Sequence, residues 1–265
     1  MNNLFNIKRF GHVFKKDLLE NYKRYLLSFV TLMGIMVIIM AFQPWDNRSL
    51  LTYMSLLFLA AGILFASTFM NPMNSKLKRI SYLVNPASNI EKFLTRWLIT
   101  TIGYILVFFV ALWIADVIKV AVCTVIYPDS NIQLLDLSKL RYPGDDYINY
   151  EYMLLRHPFD IMIFIYLLLQ SIFLLGSTFW EKASFLKTFT ALSITIFSYN
   201  MICRWIIFLF YEKFDGFNNV IGSFNPATTM EQAVTFACLV MSFFTLANWT
   251  LAFFRIRESE IIKRI

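Results

Sequence analysis

Long apolar stretches, each bounded by charged residues, proline or asparagine, alternate with shorter polar segments along the chain. An α-helix rises 1.5 Å per residue, so about 20 apolar residues cross the roughly 30 Å hydrocarbon core of a bilayer. Six stretches meet this requirement, at residues 25–43, 50–70, 97–120, 159–179, 188–211 and 233–254. A backbone in lipid must form all of its hydrogen bonds within the protein, which leaves only α-helices and closed β-barrels as spanning structures. The alternating apolar and polar pattern of a membrane β-barrel is absent from this sequence. The pattern therefore predicts an all-α polytopic membrane protein with six transmembrane helices.

The residues before the first stretch have a different periodicity. Ile7, Phe10, Phe14, Leu18 and Tyr22 recur every three or four positions, and basic residues occupy the other faces. This spacing predicts an amphipathic helix over residues 1–24 that lies in the membrane interface. Such a helix either anchors the chain only or also forms part of a docking surface, and both interpretations stay open.

The distribution of lysine and arginine predicts the orientation of the spans. With the N-terminus in the cytoplasm, the cytoplasmic segments carry 17 of the 24 basic residues and six of the 17 acidic ones, a net charge of +11. The outer segments then carry a net charge of −4. Because basic residues are enriched on the cytoplasmic side of membrane proteins, both termini are expected inside. The long outer connections are residues 121–158 and 212–232.

Composition narrows the class of protein further. Apolar residues make up 58% of the chain and charged residues 15%, which excludes a soluble globular enzyme and a disordered chain. Three cysteines in 265 residues exclude a disulfide scaffold. The basic excess is explained by membrane topology and so does not point to nucleic acid. Residues 1–265 are expected to form a single transmembrane domain.

The segment 71–96, between the second and third spans, carries a helix-start signal. Ser88 followed by Glu91 forms a capping box, in which each side chain accepts a hydrogen bond from the backbone N–H of the other residue. Pro86 disfavours helix at the residue before it, so the chain is expected to break there and to start a new helix at Ser88.

Catalytic and metal-binding patterns are missing from the sequence. His12 and His157 are the only histidines and are predicted on opposite sides of the membrane. The phosphate-binding pattern G-x-x-x-x-G-K-[ST] is absent, so this chain is not expected to hydrolyse ATP by that route. We therefore expect no catalytic residue, no metal and no cofactor.

Four ionisable residues lie in or near the predicted spans, all toward the outer side: Asp116, Lys119, Asp160 and Arg204. Charges at the bilayer centre cost about 2.5–3.5 kcal/mol on insertion scales and less near an interface. They either form structural ion pairs, with Asp116 or Asp160 paired to Arg204, or line a substrate path.

Two features of the chain resemble the ABC-2 type permeases, the membrane subunits of a class of ATP-binding-cassette exporters. One is the predicted topology, and the other is the run Asn85-Pro86-Ala87-Ser88-Asn89-Ile90-Glu91-Lys92-Phe93-Leu94-Thr95-Arg96-Trp97. The resemblance implies a homo- or heterodimer of permeases in a bacterial plasma membrane, driven by a separate ATPase subunit. It also implies that segment 71–96 couples to that ATPase. The coupling candidates are Lys76, Lys78, Arg79, Pro86, Ser88, Glu91, Lys92 and Arg96.

A different function is compatible with the same topology. A multi-pass scaffold, sensor or immunity protein that transports nothing would use its loops as recognition surfaces, with spans that pack without a path. An ion-coupled carrier is disfavoured because no acidic residue is predicted at mid-membrane.

Overall fold

The computed structural model describes residues 5–42, 47–70, 80, 84, 86–127, 134–135, 158–180, 182–211 and 230–262. Within these ranges the chain is almost entirely helical and contains no strand, which confirms the predicted all-α class. The helices are α1 (Ile7–Phe42), α2 (Asn47–Ser67), α3 (Asn89–Leu98), a π-helical segment (Ile99–Gly103), α4 (Tyr104–Ile126), α5 (Pro158–Phe179), α6 (Ser184–Tyr211) and α7 (Met230–Ile262).

Five helices in the described part of the chain are long and apolar enough to cross a membrane. They are Ile7–Phe42, Ser49–Ser67, Asn89–Ile126, Ile161–Phe179 and Val234–Glu258. The sixth predicted stretch, residues 188–211, is also helical but is not among these five. Hydroxyl side chains recur along α6, and Asn200 and Arg204 follow them. The five long apolar helices are compatible with a multi-pass membrane protein.

The predicted interfacial helix 1–24 and the first span form one continuous helix, α1. No proline interrupts its 36 residues, and Gly11 and Gly34 do not adopt positive φ. A helix of this length extends about 54 Å, well beyond the hydrocarbon core, so its basic first turns project out of the apolar layer. The amphipathic segment and the first span are therefore parts of one helix and not two separate elements.

Segment α3 likewise continues without interruption through the π-helical segment into α4. The resulting helix, Asn89–Ile126, has 38 residues. Its first turns are amphipathic and its apolar stretch begins at Trp97. The part of the predicted coupling segment that follows Ser88 is thus the start of the third long helix rather than a separate loop.

An aromatic cluster holds α2, α4 and α5 together. The Phe58 ring lies 4.7 Å from the Tyr166 ring and 4.9 Å from the Phe108 ring, centroid to centroid. The Tyr104 hydroxyl donates a 2.7 Å hydrogen bond to the Phe58 carbonyl oxygen. Gly62 permits this packing, since a Cβ atom there would lie 2.5 Å from the Tyr166 ring.

Hydrogen bonds between buried polar side chains join the π-helical segment to α5 and α7. The Gln170 amide donates to the Thr101 hydroxyl oxygen at 3.0 Å and accepts from the Trp249 indole N–H at 3.1 Å. Asn248 donates to the Ser171 hydroxyl oxygen at 3.0 Å. Inside a bilayer an unpaired polar group is costly, so these bonds fix the register of the three segments.

Candidate functional site

The predicted helix start at Ser88 is confirmed in atomic detail. The Ser88 hydroxyl oxygen accepts from the Glu91 N–H at 3.3 Å, and a Glu91 carboxylate oxygen accepts from the Ser88 N–H at 3.0 Å. Pro86, two residues earlier, is exposed and outside the helix. The capping box satisfies two N–H groups at the start of α3 and so fixes where it begins.

Glu91 also attaches α3 to the first turn of α1. Both of its carboxylate oxygens accept from the Arg9 guanidinium, at 2.6 and 2.7 Å, and one accepts from the Asn6 N–H at 2.8 Å. Glu91 is fully buried. Burial by itself would raise its pKa, but the hydrogen bonds from Arg9 and from the Asn6 and Ser88 N–H groups outweigh it and hold the pKa at about 2.

A second ion pair joins the same two helices about two turns further along α1. Arg96 donates to Asp17 at 2.5 Å and to the Phe69 carbonyl oxygen at 3.1 Å. The other Asp17 oxygen accepts from the Tyr25 hydroxyl at 2.9 Å. The side chains of Arg96 and Asp17 are only 12% and 11% exposed, so the pair is largely shielded from water.

We call Arg9, Asp17, Glu91 and Arg96 the α1–α3 clamp. Along α1 the basic residue comes first and the acidic residue second, whereas along α3 the order is reversed. The opposite pairing would bring Arg9 toward Arg96 and Asp17 toward Glu91, which like-charge repulsion disfavours. The clamp therefore specifies one relative arrangement of the two helices.

The clamp changes how the predicted coupling residues are interpreted. Glu91, Lys92 and Arg96 are buried or nearly so, and Glu91 and Arg96 contact α1. They are therefore not displayed for direct contact with another protein in this structure. Lys76, Lys78 and Arg79 lie outside the described residues.

Among the described residues of this segment, the exposed side chains are apolar. Ile80, Val84 and Ile90 are 59%, 73% and 45% exposed and precede the apolar stretch that begins at Trp97. Patches of exposed large apolar side chains are typical of protein or membrane interaction sites. These residues were not among the coupling candidates drawn from the sequence, most of which are charged.

Arg9 and Asp17 were also missed as partners of the segment. The available signal was Asp17 itself, an acidic residue that lies three positions after Phe14 and thus on the apolar side of a mostly basic segment. A buried acid needs a partner, and Arg96 provides it.

The intramembrane charges are arranged differently from the predicted pairing. Asp116 pairs with Lys119 on its own helix at 2.6 Å and accepts from the Leu135 N–H at 2.7 Å. Arg204 is exposed and does not pair with Asp116 in the described part of the structure. Residues three apart on a helix share a face, so the local partner is the nearer one. Asp160 lies in the first turn of α5, and its side chain is outside the described residues.

Arg204 instead belongs to a hollow along one face of α6, which we call the α6 hollow. Its volume is about 530 Å³. Its described lining residues are Ser193, Ile196, Phe197, Asn200, Met201 and Arg204. The volume lies within the range of small-molecule sites, and three of the six lining side chains are polar.

Comparison with protein-family models, with curated proteins and with solved structures finds no match to this chain. The resemblance of residues 85–97 to ABC-2 type permeases accordingly stays a prediction.

Proposed function

We propose that this chain is the membrane-spanning subunit of an ABC-2 type exporter in a bacterial plasma membrane, driven by a separate ATPase subunit. The α1–α3 clamp is the observation that carries the proposal. It connects the start of a 38-residue helix, Asn89–Ile126, to the projecting end of α1. A displacement of segment 71–96 would therefore move two long helices together. The absence of a phosphate-binding motif from the sequence requires a partner to supply the ATP hydrolysis.

The proposed topology has six spans, with α6 as the additional one and both termini in the cytoplasm. The basic excess on the segments assigned to that side supports the orientation. Helix α6 has 28 residues, enough to cross the hydrocarbon core. Its polar residues would then lie inside the membrane, where they need a polar environment.

In this proposal the ATPase docks on the apolar side chains of segment 71–96 rather than on its buried charges. Ile80, Val84 and Ile90 supply exposed apolar area, and Lys76, Lys78 and Arg79 supply charge in the same segment. Glu91 and Arg96 act behind this surface, because they transmit its movement to α1 through the clamp.

The substrate path in this proposal runs along α6. Asn200 and Arg204 are exposed on a helix assigned to the bilayer, and such groups in membranes face a protein partner or a water-filled cavity. A second permease subunit facing the α6 hollow would supply that environment. The dimer would then enclose a path with Arg204 in its wall.

Co-purification with the ATPase tests the docking surface. The full chain is expressed together with any ATPase subunit that a neighbouring gene encodes, and it is purified through a tag on the permease. We expect Ile90→Asp to reduce the bound ATPase about tenfold or more, because a buried charge at an interface centre is costly. Leu186→Asp is the matched control, since Leu186 is 60% exposed on the same membrane side in another segment, and it should leave binding unchanged.

Function is tested by reconstituting the purified complex in liposomes. Permease-dependent ATP turnover and a complex mass containing two permease copies would support the proposal. A chain that binds no ATPase, and that performs its role in the cell without one, would refute it and favour the scaffold, sensor or immunity interpretation.

A further inference from the structure

Leu135, in the connection that follows α4, lies against the side of that helix. Its N–H donates a 2.7 Å hydrogen bond to a carboxylate oxygen of Asp116, which comes 19 positions earlier in the chain. Asp116 lies about three turns before the end of α4 at Ile126, which is roughly 15 Å along the helix at 1.5 Å per residue. Leu135 is therefore attached well back from the end of α4 and not at its tip.

The depth of this attachment follows from the proposed topology. The apolar stretch of the third long helix begins at Trp97, and about 20 residues from there, the number that crosses a hydrocarbon core, end at Asp116. Asp116 thus lies at the outer boundary of the core, and the last turns of α4 project beyond it. Leu135 contacts α4 at the point where the helix leaves the apolar layer.

The second carboxylate oxygen of Asp116 is held by Lys119. The ammonium nitrogen lies 2.6 Å from this oxygen, and the Lys119 and Asp116 side chains are only 1% and 8% exposed. The ion pair offsets the cost of burying both charges. It also gives the Leu135 N–H an ionised acceptor, and hydrogen bonds to ionised acceptors are about twice as strong as those between neutral groups.

The side chain of Leu135 forms the second attachment. It is 8% exposed and belongs to the same buried apolar cluster as Met40 of α1, Leu50 of α2 and Ala115 of α4. The neighbouring side chain of Leu134, by contrast, is 52% exposed. One residue of this pair is therefore part of the helix core, whereas the other faces outward.

We propose that Asp116, Lys119 and Leu135 form a latch that docks the outer connection onto the helix bundle and opens without unfolding of the helices. Among the described residues, the attachment consists of one backbone hydrogen bond and one buried side chain. Segments held by few buried contacts open at a lower free energy than the helices around them. Opening would withdraw Leu135 from the core and expose the Asp116–Lys119 pair to water. The latch depends on the proposed topology but not on an ATPase or on transport.

Hydrogen exchange at the Leu135 amide tests the latch in the full chain. The protein in nanodiscs is transferred to D₂O, and fragmentation that resolves single amides reports the exchange rate. We expect Asp116→Leu combined with Lys119→Met to speed this exchange about tenfold, because the N–H loses a charged acceptor. The double replacement leaves no unpaired buried charge, so the helix itself should stay intact.

Asp116→Asn combined with Lys119→Met is the matched control. It removes the same two charges but keeps an acceptor oxygen at position 116, so exchange should rise only about threefold. Equal exchange at Leu135 in the wild-type chain and in the Asp116→Leu variant would overturn the latch. An equally large rise in both double variants would also overturn it, because the hydrogen bond would then not be what holds the segment.

Thiol accessibility is a second measurement that leaves the ion pair unchanged. In a chain whose native cysteines are replaced by alanine, Leu134→Cys and Leu135→Cys are labelled separately in spheroplasts with a membrane-impermeant maleimide. Position 135 should react about tenfold more slowly than position 134, because its thiol is reached only after the latch opens. Equal rates would show that the segment is not docked and would overturn the proposal. Labelling of position 134 only after permeabilisation would overturn its outer placement.

Discussion

The Asp17–Arg96 ion pair gives the sharpest test of the clamp. In Asp17→Asn the carboxylate becomes a neutral amide of nearly the same shape. Arg96 then keeps its bond to the Phe69 carbonyl but loses its counter-charge. The Tyr25 hydroxyl must then donate its hydrogen bond to an amide oxygen instead of a carboxylate oxygen.

The expected cost follows from the burial of both partners. Breaking a buried ion pair by removing one partner costs about 3–5 kcal/mol, because the remaining charge is left unpaired. Both side chains are about one-tenth exposed, and Arg96 keeps one bond, so the lower end applies. We expect Asp17→Asn to reduce the free energy of unfolding by about 3 kcal/mol.

The measurement is unfolding of the detergent-solubilised protein in a titration with denaturing detergent, followed by helical circular dichroism. Glu20→Gln is the control. Glu20 pairs with Lys16 at 3.7 Å, both side chains are about half exposed, and such pairs contribute at most about 1 kcal/mol. Combining Asp17→Asn with Arg96→Gln completes a double-mutant cycle, and the two effects should fall short of additivity by about 2 kcal/mol.

Two results would contradict this reasoning. One is an Asp17→Asn effect no larger than that of Glu20→Gln. The other is strict additivity in the cycle, which would mean that the two side chains do not depend on each other. In either case the Asp17–Arg96 pair would not help to hold α1 against α3.

Three further predictions concern other positions in the helices. The difference in unfolding free energy between the wild-type chain and Glu91→Gln should be constant above about pH 5 and should shrink as the pH falls toward 2. The reason is that the pKa of Glu91 is about 2 in the folded protein, against an ordinary value of 4.5. Unfolding measurements across that pH range check this prediction. Gly176→Ala should destabilise the protein by about 1–3 kcal/mol, because its Cβ would overlap the Thr188 side chain where α5 meets α6. Gly34→Ala has open space around it and should be neutral or slightly stabilising in the same unfolding assay.

Features with local causes could be predicted from the sequence. The capping box needs only residues three positions apart, so the start of α3 at Ser88 was predictable. The apolar stretches likewise identify five helices that the structure contains. The continuity of α1 was not predictable from its change of periodicity, since a helix can pass from an amphipathic to an apolar segment without a break.

Contacts between distant segments were harder to predict. Arg9 and Glu91 are 82 positions apart, and no pattern along the chain links them. Asp116 shows the opposite case, because its partner Lys119 lies one turn away on the same helix, whereas only Arg204 had been considered as a partner. The burial of Glu91 and Arg96 could not be predicted either, since a charged side chain can be buried once a partner from another helix neutralises it.

The π-helical segment has a geometric consequence for the third long helix. Three consecutive residues, Ile99, Thr100 and Thr101, are buried in this segment, with Thr95 buried before them and Tyr104 after them. A π-helix holds more residues in each turn than an α-helix does, so its turn can place three neighbouring side chains against the core. The wider turn at Ile99–Gly103 absorbs an extra residue, so that one rod presents both halves toward its neighbours. If that turn moved along the helix or became α-helical, the part of the helix after Gly103 would rotate about the helix axis, whereas the end held by the clamp would stay in place.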